Sequence, residues 1–418
     1  MFSGGSGTVN DPYLIATAND FNNIRNLSGY EPEDFFYYKQ VSDISLASIT
    51  WTPYPFSGEY DGGAYKITDF ECYTSNAALF SSVLSNSKLK NMKVIDAYID
   101  TTEHSYGTGA ILALYHNYNN TAITDCHVSG VIKSSYASAL VYNNGSKTER
   151  CTADVVITAN NVGFFVYDNG NDGEILDCDA RGVVELADYA SGFVGSNYGK
   201  IERCSTEVNI TIDDGSGEGF VKSNNNLIKD CYCSGTLLVL SESSVRLSGF
   251  DDGNYGRIEN CYSAIKINKP NQEYSVNRIN LFSNHGYDRL HSCYVDVDSG
   301  SLQDAWTTLL TYHNDAYARG TDNKLYKCTN YQSAYEEPIL EVRPIDGSRY
   351  SEFWQDALVT DSVVARTTAQ MTTASNYVGW DFGNVWRIRP GMYPELIRQT
   401  KSSGQLEAMP LTSITVVN

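Results

Sequence analysis

The chain has 418 residues, with 50 acidic against 30 basic side chains and a formal net charge of -20. Such an excess repels phosphate, which argues against a nucleic-acid partner. The composition is 42% hydrophobic, enough for a packed body, but no unbroken run of about 18 apolar residues occurs, so membrane insertion as a helix is not expected.

In chain order, residues 1–60 read as an N-terminal cap. Thr17 stands three residues before Asp20, and Phe21 and Ile24 follow, which predicts a short helix closed by a capping box. A strand over residues 37–44 then leads into the first coil. Residues 61–340 carry a repeat. I-T-D-C ending at Cys126 returns as T-E-R-C at Cys151, I-L-D-C at Cys178, I-E-R-C at Cys204 and I-K-D-C at Cys231. I-E-N-C at Cys261, L-H-S-C at Cys293 and L-Y-K-C at Cys328 complete the series, in steps of 25, 27, 26, 27, 30, 32 and 35 residues. A fixed short word at this period marks stacked repeats, not a disulfide framework.

Each unit also carries a small-plus-apolar patch upstream of the cysteine, as at Ala139-Leu140-Val141, Gly163 to Val166, Gly192 to Gly195, Gly219 to Val221 and Gly249-Phe250. Downstream lies an aliphatic stretch, as at Val155 to Thr158 and Val208 to Ile212. Three short runs divided by Gly, Asn, Asp and Ser clusters have strand length and turn chemistry. Such a unit cannot bury its own apolar side, but coils stacked about 4.8 Å apart pair backbone with backbone. The fold class expected is all-β: a single-chain, right-handed parallel β-helix of about nine or ten coils with short terminal caps.

The repeat word also predicts how the stack is held. Phe70, Met92 and the eight cysteines form one inward column, and Cys72, Val94, Val128, Ala153, Ala180, Thr206, Cys233, Ser263 and Val295 form another two residues on. Free cysteine behaves as a small buried hydrophobe, so buried thiols are expected here and not disulfides or a metal site. The preceding residues, Asp125, Arg150, Asp177, Arg203, Asp230 and Asn260, alternate in charge and predict an ion-pair ladder on the surface. Seven residues before the cysteines stand Asn119, Asn144, Asn171, Asn197, Asn224 and Asn254, a residue type suited to left-handed turns and to hydrogen bonding with its copy in the next coil.

Residues 341–400 read as a C-terminal cap. Thr367 with Gln370 fits a capping box, and Trp380, Phe382, Trp386 and Tyr393 supply apolar surface to seal the last coil. Residues 401–418 read as a tail or linker, ending in the strand-like stretch Leu411 to Val417.

Several segments together resemble the GLUG-motif proteins, β-solenoid surface proteins of bacteria and their phages. The best match to their Gly-Leu-x-Gly core is Gly192-Phe193-Val194-Gly195, followed by S-N-Y-G-K-I-E-R-C. The opening at 3–24, W-T-P at 51–53 with G-E-Y-D-G-G-A-Y-K-I at 58–67, and the closing segment 367–388 with Y-P-E-L at 393–396 are similar to that family's flanking elements. The resemblance implies a scaffold class whose members share no single activity. The tail likewise resembles the first strand of a bacterial immunoglobulin-like domain.

No catalytic, cofactor-binding or metal-ligating residue is assigned. None of the six histidines opens H-E-x-x-H, so the zinc peptidase activity of some GLUG-containing proteins is not expected. His127 follows Cys126, but neighbours on a strand face opposite ways. The acidic stretches 168–174 and 213–218 lack the ligand spacing of a calcium loop. The 31 tyrosines, clustered at Tyr30, Tyr37, Tyr38, Tyr54, Tyr60 and Tyr65 and at Tyr312, Tyr317, Tyr326 and Tyr331, suit contact with proteins or sugars.

The chain opens M-F-S-G-G-S with no export signal ahead of the domain. The function expected is therefore a non-enzymatic virion or cell-surface β-solenoid, a phage tail, fibre or head-decoration protein for host attachment or spacing. Its partners would be other virion or surface proteins and a host-surface glycan or protein. The alternatives are a polysaccharide depolymerase, since β-helices host such enzymes, and a module of a secreted bacterial adhesin. Excursions at 96–109 and 300–323 are the loops where contact with a host is expected.

Overall fold

The computed structural model describes residues 2–29, 35–116, 119–240, 245–268, 276–283, 290–296 and 368–397, with backbone alone at 276–281 and in the strands Thr307–Tyr312, Asp315–Arg319, Leu325–Thr329, Glu341–Pro344 and Val363–Arg366. The chain winds as a parallel β-helix. Each coil contributes a three-residue strand such as Lys147–Glu149, a long strand such as Thr152–Gly163, and a four-residue strand such as Val166–Asn169. The short strands stack into one eleven-stranded parallel sheet, and the other two rows form a second, larger sheet. The middle run is not one of three equally short runs: the chain stays extended from the aliphatic stretch up to the next apolar patch, over 12 to 14 residues.

Register is kept from coil to coil, so each inward position becomes a column. Leu89, Ile123, Thr148, Ile175, Ile201, Ile228, Ile258 and Leu290 stack along the short strands, all buried. Phe165, Phe193, Phe220, Phe250 and Phe282 stack nearly parallel, with ring centroids 4.7–5.0 Å apart. That spacing is the strand separation itself, so the sheet geometry sets the aromatic overlap.

The thiol column runs through Cys126, Cys151, Cys178, Cys204, Cys231, Cys261 and Cys293, each buried and free. Several sulfurs accept a backbone N–H from the coil before, as from Cys151 to Cys178 at 3.4 Å, and each donates to the carbonyl two residues earlier, as from Cys178 to Leu176 at 3.2 Å. Burial pushes the thiols of Cys126, Cys178, Cys231 and Cys293 well above their ordinary range, which keeps them protonated and unreactive.

Three positions depart from the expected columns. Phe70 lies beneath Ala97 and Cys72 opposite Ile99, because the connection from short to long strand is two residues longer in that coil, Ile67 following Tyr60 by seven where Val94 follows Leu89 by five. Ile67, not Cys72, continues the Val94 column. Cys328 leaves the thiol column altogether: its strand Leu325–Thr329 belongs to an antiparallel meander, pairing with Asp315–Arg319 and Glu341–Pro344.

The residue before each cysteine takes a left-handed conformation, with φ between 52° and 57° at Asp125, Asp177, Arg203, Asp230 and Asn260 and 51° at Arg150. The turn lets its side chain lie along the stack. Arg150 grips Asp125 through two hydrogen bonds of 2.9 and 3.0 Å, and Arg203 grips Asp177 through two of 2.8 Å. Asn260 donates to Asp230 at 3.0 Å. A second two-coil rhythm accompanies this one, for Gly130, Gly182 and Gly235 alternate with Val155, Val208 and Ile265 in one column. Gly182 has φ 144°, and a β-carbon there would sit 2.0 Å from the carbonyl oxygen of Val155. Only glycine fits the close approach.

The amide ladder is continuous but does not use every asparagine expected. Asn144 donates to Asn169, Asn169 to Asn197, Asn197 to Asn224 and Asn224 to Asn254, at 2.7–2.8 Å. Asn171 is displaced into an exposed turn because Asn-Gly-Asn-Asp-Gly at 169–173 adds residues between ladder and cysteine. At the foot of the ladder His116 takes the place anticipated for Asn119, with its Nδ1 2.8 Å from Asn144 Oδ1. Burial lowers the His116 pKa to about 4, so the ring is neutral.

At the front, Ala18–Asn23 forms the short helix, and Thr17 and Asp20 make the reciprocal capping bonds. The strands Tyr13–Ile15 and Tyr37–Gln40 belong to the same sheet as the later short strands, so stacking begins well before residue 61. At the back, Trp380, Trp386, Met371, Tyr377 and Leu396 pack on Tyr262 and Tyr294, with Phe382 and Tyr393 beside them. Those tyrosines face outward from the long strands, so this unit covers the flank of the last coils. It is pinned by Tyr262 Oη to Pro394 O at 2.8 Å and Trp380 Nε1 to Ser292 O at 2.9 Å. Thr367, the tail 401–418 and most of 300–323 lie outside the described residues.

Candidate functional site

The bend between the long strand and the four-residue strand is where outward side chains converge. Register places Tyr136, Asn161, Tyr189, Ser216 and Arg246 in one column on the long strands. Leu114, Tyr142, Tyr167, Gly195, Lys222 and Asp252 follow one another on the four-residue strands. The two columns touch across the bend. The rings of Tyr136 and Tyr167 lie 6.1 Å apart, Lys222 Nζ sits 4.1 Å from the Tyr189 ring centre, and Arg246 approaches Asp252 at 3.8 Å. Side chains outside a convex corner diverge, so these contacts define a re-entrant angle, a groove running along the stacking axis.

Beneath the two walls, and covered by them, runs the buried column Ala110, Ser138, Gly163, Ser191, Glu218 and Ser248, the floor of the angle. At one end it is apolar, where Ala78, Ala110 and Leu114 cluster separately from the main core and Tyr142 packs on them. Tyr142 stacks on Tyr167 with centroids 4.6 Å apart and an 11° interplanar angle. Tyr115 and Tyr189 are 45% and 38% exposed beside them. Gly195 brings no side chain to the place above Tyr167, so the next group in that column is Lys222.

Toward the other end the floor becomes polar. Glu218 is wholly buried, accepts from Ser191 Oγ at 3.2 Å, and its Oε1 has no hydrogen-bond partner. Burial, reinforced by the charge of Asp252, raises its pKa to about 8, so it holds a proton at neutral pH. Asp251, inward on the next coil, is also buried and raised well above the usual carboxylate range by burial. Burial raises Asp168 as well, opposed by a hydrogen bond from Ser196. Tyr167 is pushed up to about 12, chiefly by burial, and its phenol stays neutral. The groove therefore offers ring faces, above a buried floor in which Glu218 is uncharged.

Of the tyrosine clusters singled out from sequence, Tyr30 and the side chains of Tyr312, Tyr317, Tyr326 and Tyr331 lie outside the described residues. Tyr38, Tyr54 and Tyr60 are buried in the first coils, where Phe21, Trp51 and Phe80 pack among them. The groove tyrosines were legible only as the repeated Val-Tyr pairs at 141–142 and 166–167. In the first excursion Tyr106 is 80% exposed, and His104 Nε2 meets Tyr73 O at 3.1 Å. His127 hydrogen bonds Thr152 Oγ1 at 2.7 Å. Among the described residues no group of three or more His, Cys, Asp or Glu side chains is placed to hold a metal ion, and no helix is long and apolar enough to cross a membrane.

The class defined by these strands is the parallel β-helix. No family model matches the chain. A protein of Evansella cellulosilytica provisionally named a Gly-rich membrane protein is 30% identical over 113 residues, which cover 24% of this chain and 13% of that one. The chain thus spans well under two thirds of that relative. A crystal structure from Bacteroides ovatus, provisionally named an immunoglobulin A1 protease, has a TM-score of 0.44 and 15% identity, covering 94% of this chain and 95% of that chain.

Proposed function

We propose that this chain is a non-enzymatic β-solenoid of a virion or bacterial cell surface, of the tail, fibre or head-decoration kind, that spaces and presents an attachment face. The observation that carries the reading is the convergence of half-exposed tyrosines on one axial groove. Rigid amphipathic rings give contact area at small entropic cost, and a stack of paired coils holds them in fixed positions. The resemblance to GLUG-motif surface proteins supports the same role. The depolymerase alternative needs an acid and a base within reach of a substrate, whereas Glu218, the acid poised to hold a proton, is wholly buried.

The test is attachment of the labelled full chain to a panel of encapsulated and unencapsulated bacteria. Saturable binding that falls with Tyr142→Ala plus Tyr167→Ala is expected. Capsular polysaccharide shortened on incubation with the protein would overturn the non-enzymatic reading.

A further inference from the structure

Resting on that reading, we propose that the groove's occupant is an uncharged glycan chain lying along the stacking axis. The first argument is periodicity. Coils recur about every 4.8 Å, and the tyrosine faces of successive coils follow one another along the stacking axis, Tyr142 on Tyr167 with Tyr136 and Tyr189 on the facing wall, so the apolar surface is a linear track. A small ligand has no use for such a surface.

The second argument concerns hydrogen bonding. A peptide bound by strand addition needs unpaired backbone, but both walls are strands whose neighbours above and below already pair with them, as Val166–Asn169 does with Val141–Asn144 and Val194–Asn197. Recognition falls to side chains. Those present are the faces and phenol hydroxyls of Tyr136, Tyr142 and Tyr167 and the amide of Asn161. Apolar faces beside hydroxyl partners match the two sides of a sugar ring.

The third argument is charge. Among the described groove residues the cations are Lys222, which lies over Tyr189, and Arg246, which pairs with Asp252. Both are engaged by groove residues, and the chain's net charge of -20 repels polyanions at longer range. Acidic capsules and nucleic acids are disfavoured on the same ground.

The experiment uses the full chain against a glycan array that includes malto-, cello- and chito-oligosaccharides, with polygalacturonate and a peptide library as the other arms. Binding to a neutral series, tightening with chain length, is expected. Tyr142→Ala plus Tyr167→Ala should weaken it at least tenfold while Tyr106→Ala leaves it unchanged, both variants keeping the thermal midpoint of the parent to within a few degrees. If that double variant is less stable, Asn161→Ala replaces it as the test, with the same loss of binding expected, since it alters wall polarity and leaves the rings in place. Binding to peptides or polygalacturonate alone, to no array member, or equally by parent and groove variants overturns the proposal. Attachment to cells that survives periodate oxidation of their glycans removes the glycan and leaves the surface role standing; absence of any cell attachment removes both.

Discussion

Replacing Glu218 with glutamine isolates the energetic consequence of a carboxyl group sealed in the floor of the groove. Its pKa is 4.5 in ordinary surroundings and about 8 here, with burial the main cause. Between those values the unfolded chain has released the proton and the folded chain has kept it. The folded state then binds more protons than the unfolded one, so stability falls as pH rises through this window. At 1.36 kcal/mol per pKa unit, a rise of 3.5 units corresponds to about 5 kcal/mol, absent below pH 4.5 and complete above pH 8. Glutamine has the same shape and no charge to lose. Urea unfolding of parent and Glu218→Gln at half-unit steps from pH 4.5 to 9 should give curves that diverge, with the variant more stable by several kcal/mol at pH 9 and close to the parent at pH 5. Asp251 remains in both proteins, so its share cancels in the difference. Parallel stability curves across that range would show that Glu218 is solvated or paired, and the account of the groove floor would fail.

Three further outcomes test the stack. Asn197→Ala removes both neighbours' partners in the amide ladder and strands two buried groups, costing about 2–6 kcal/mol at roughly 1–3 each, whereas Asn171→Ala, in its exposed turn, should change the stability read from urea unfolding by less than about 0.5 kcal/mol. His116 is neutral when folded, with a pKa lowered from 6.5 to about 4; the unfolded chain therefore gains the proton first, stability is lost as pH falls through that interval by about 3 kcal/mol, and His116→Asn should flatten the acid limb of a thermal-midpoint profile. Titration of the native protein with a thiol reagent should label at most one of the ten cysteines, because nine are buried and free, and all ten should react in denaturant; rapid labelling of several in the native state would refute the closed column.

Much of the architecture was legible because a solenoid writes each structural position once per coil. The word before each cysteine marked the turn, and its charge alternation became the Asp125–Arg150 and Asp177–Arg203 pairs. What went astray did so where the spacing changes. Counting back from the cysteine chose Asn171, but strand pairing obeys the apolar patch, and counting three residues forward from Val141, Val166, Val194 and Val221 reaches every ladder asparagine between Asn144 and Asn224. L-Y-K-C at Cys328 repeats the word but lies in antiparallel pairing with its neighbours in sequence, Asp315–Arg319 and Glu341–Pro344, so the word alone does not mark a coil. The groove was hidden for another reason. Alternation of side chains tells inside from outside along one strand, but whether two strands bend toward or away from each other on the outside depends on how the corner packs, and no local pattern records that.

Two features of the coils share a period of two. Coils that turn through Asp125, Asp177 and Asp230 carry glycine farther along the long strand, and those that turn through Arg150 and Arg203 carry valine. The hereditary unit of this rod is thus a doublet. Excising a single turn sets carboxylate on carboxylate with two glycines face to face, or guanidinium on guanidinium with two bulky branched residues face to face; excising two restores the match. Lengthening or shortening of such a shaft should proceed by even numbers, and natural variants of different length should differ in steps of roughly fifty residues, about twice the single repeat.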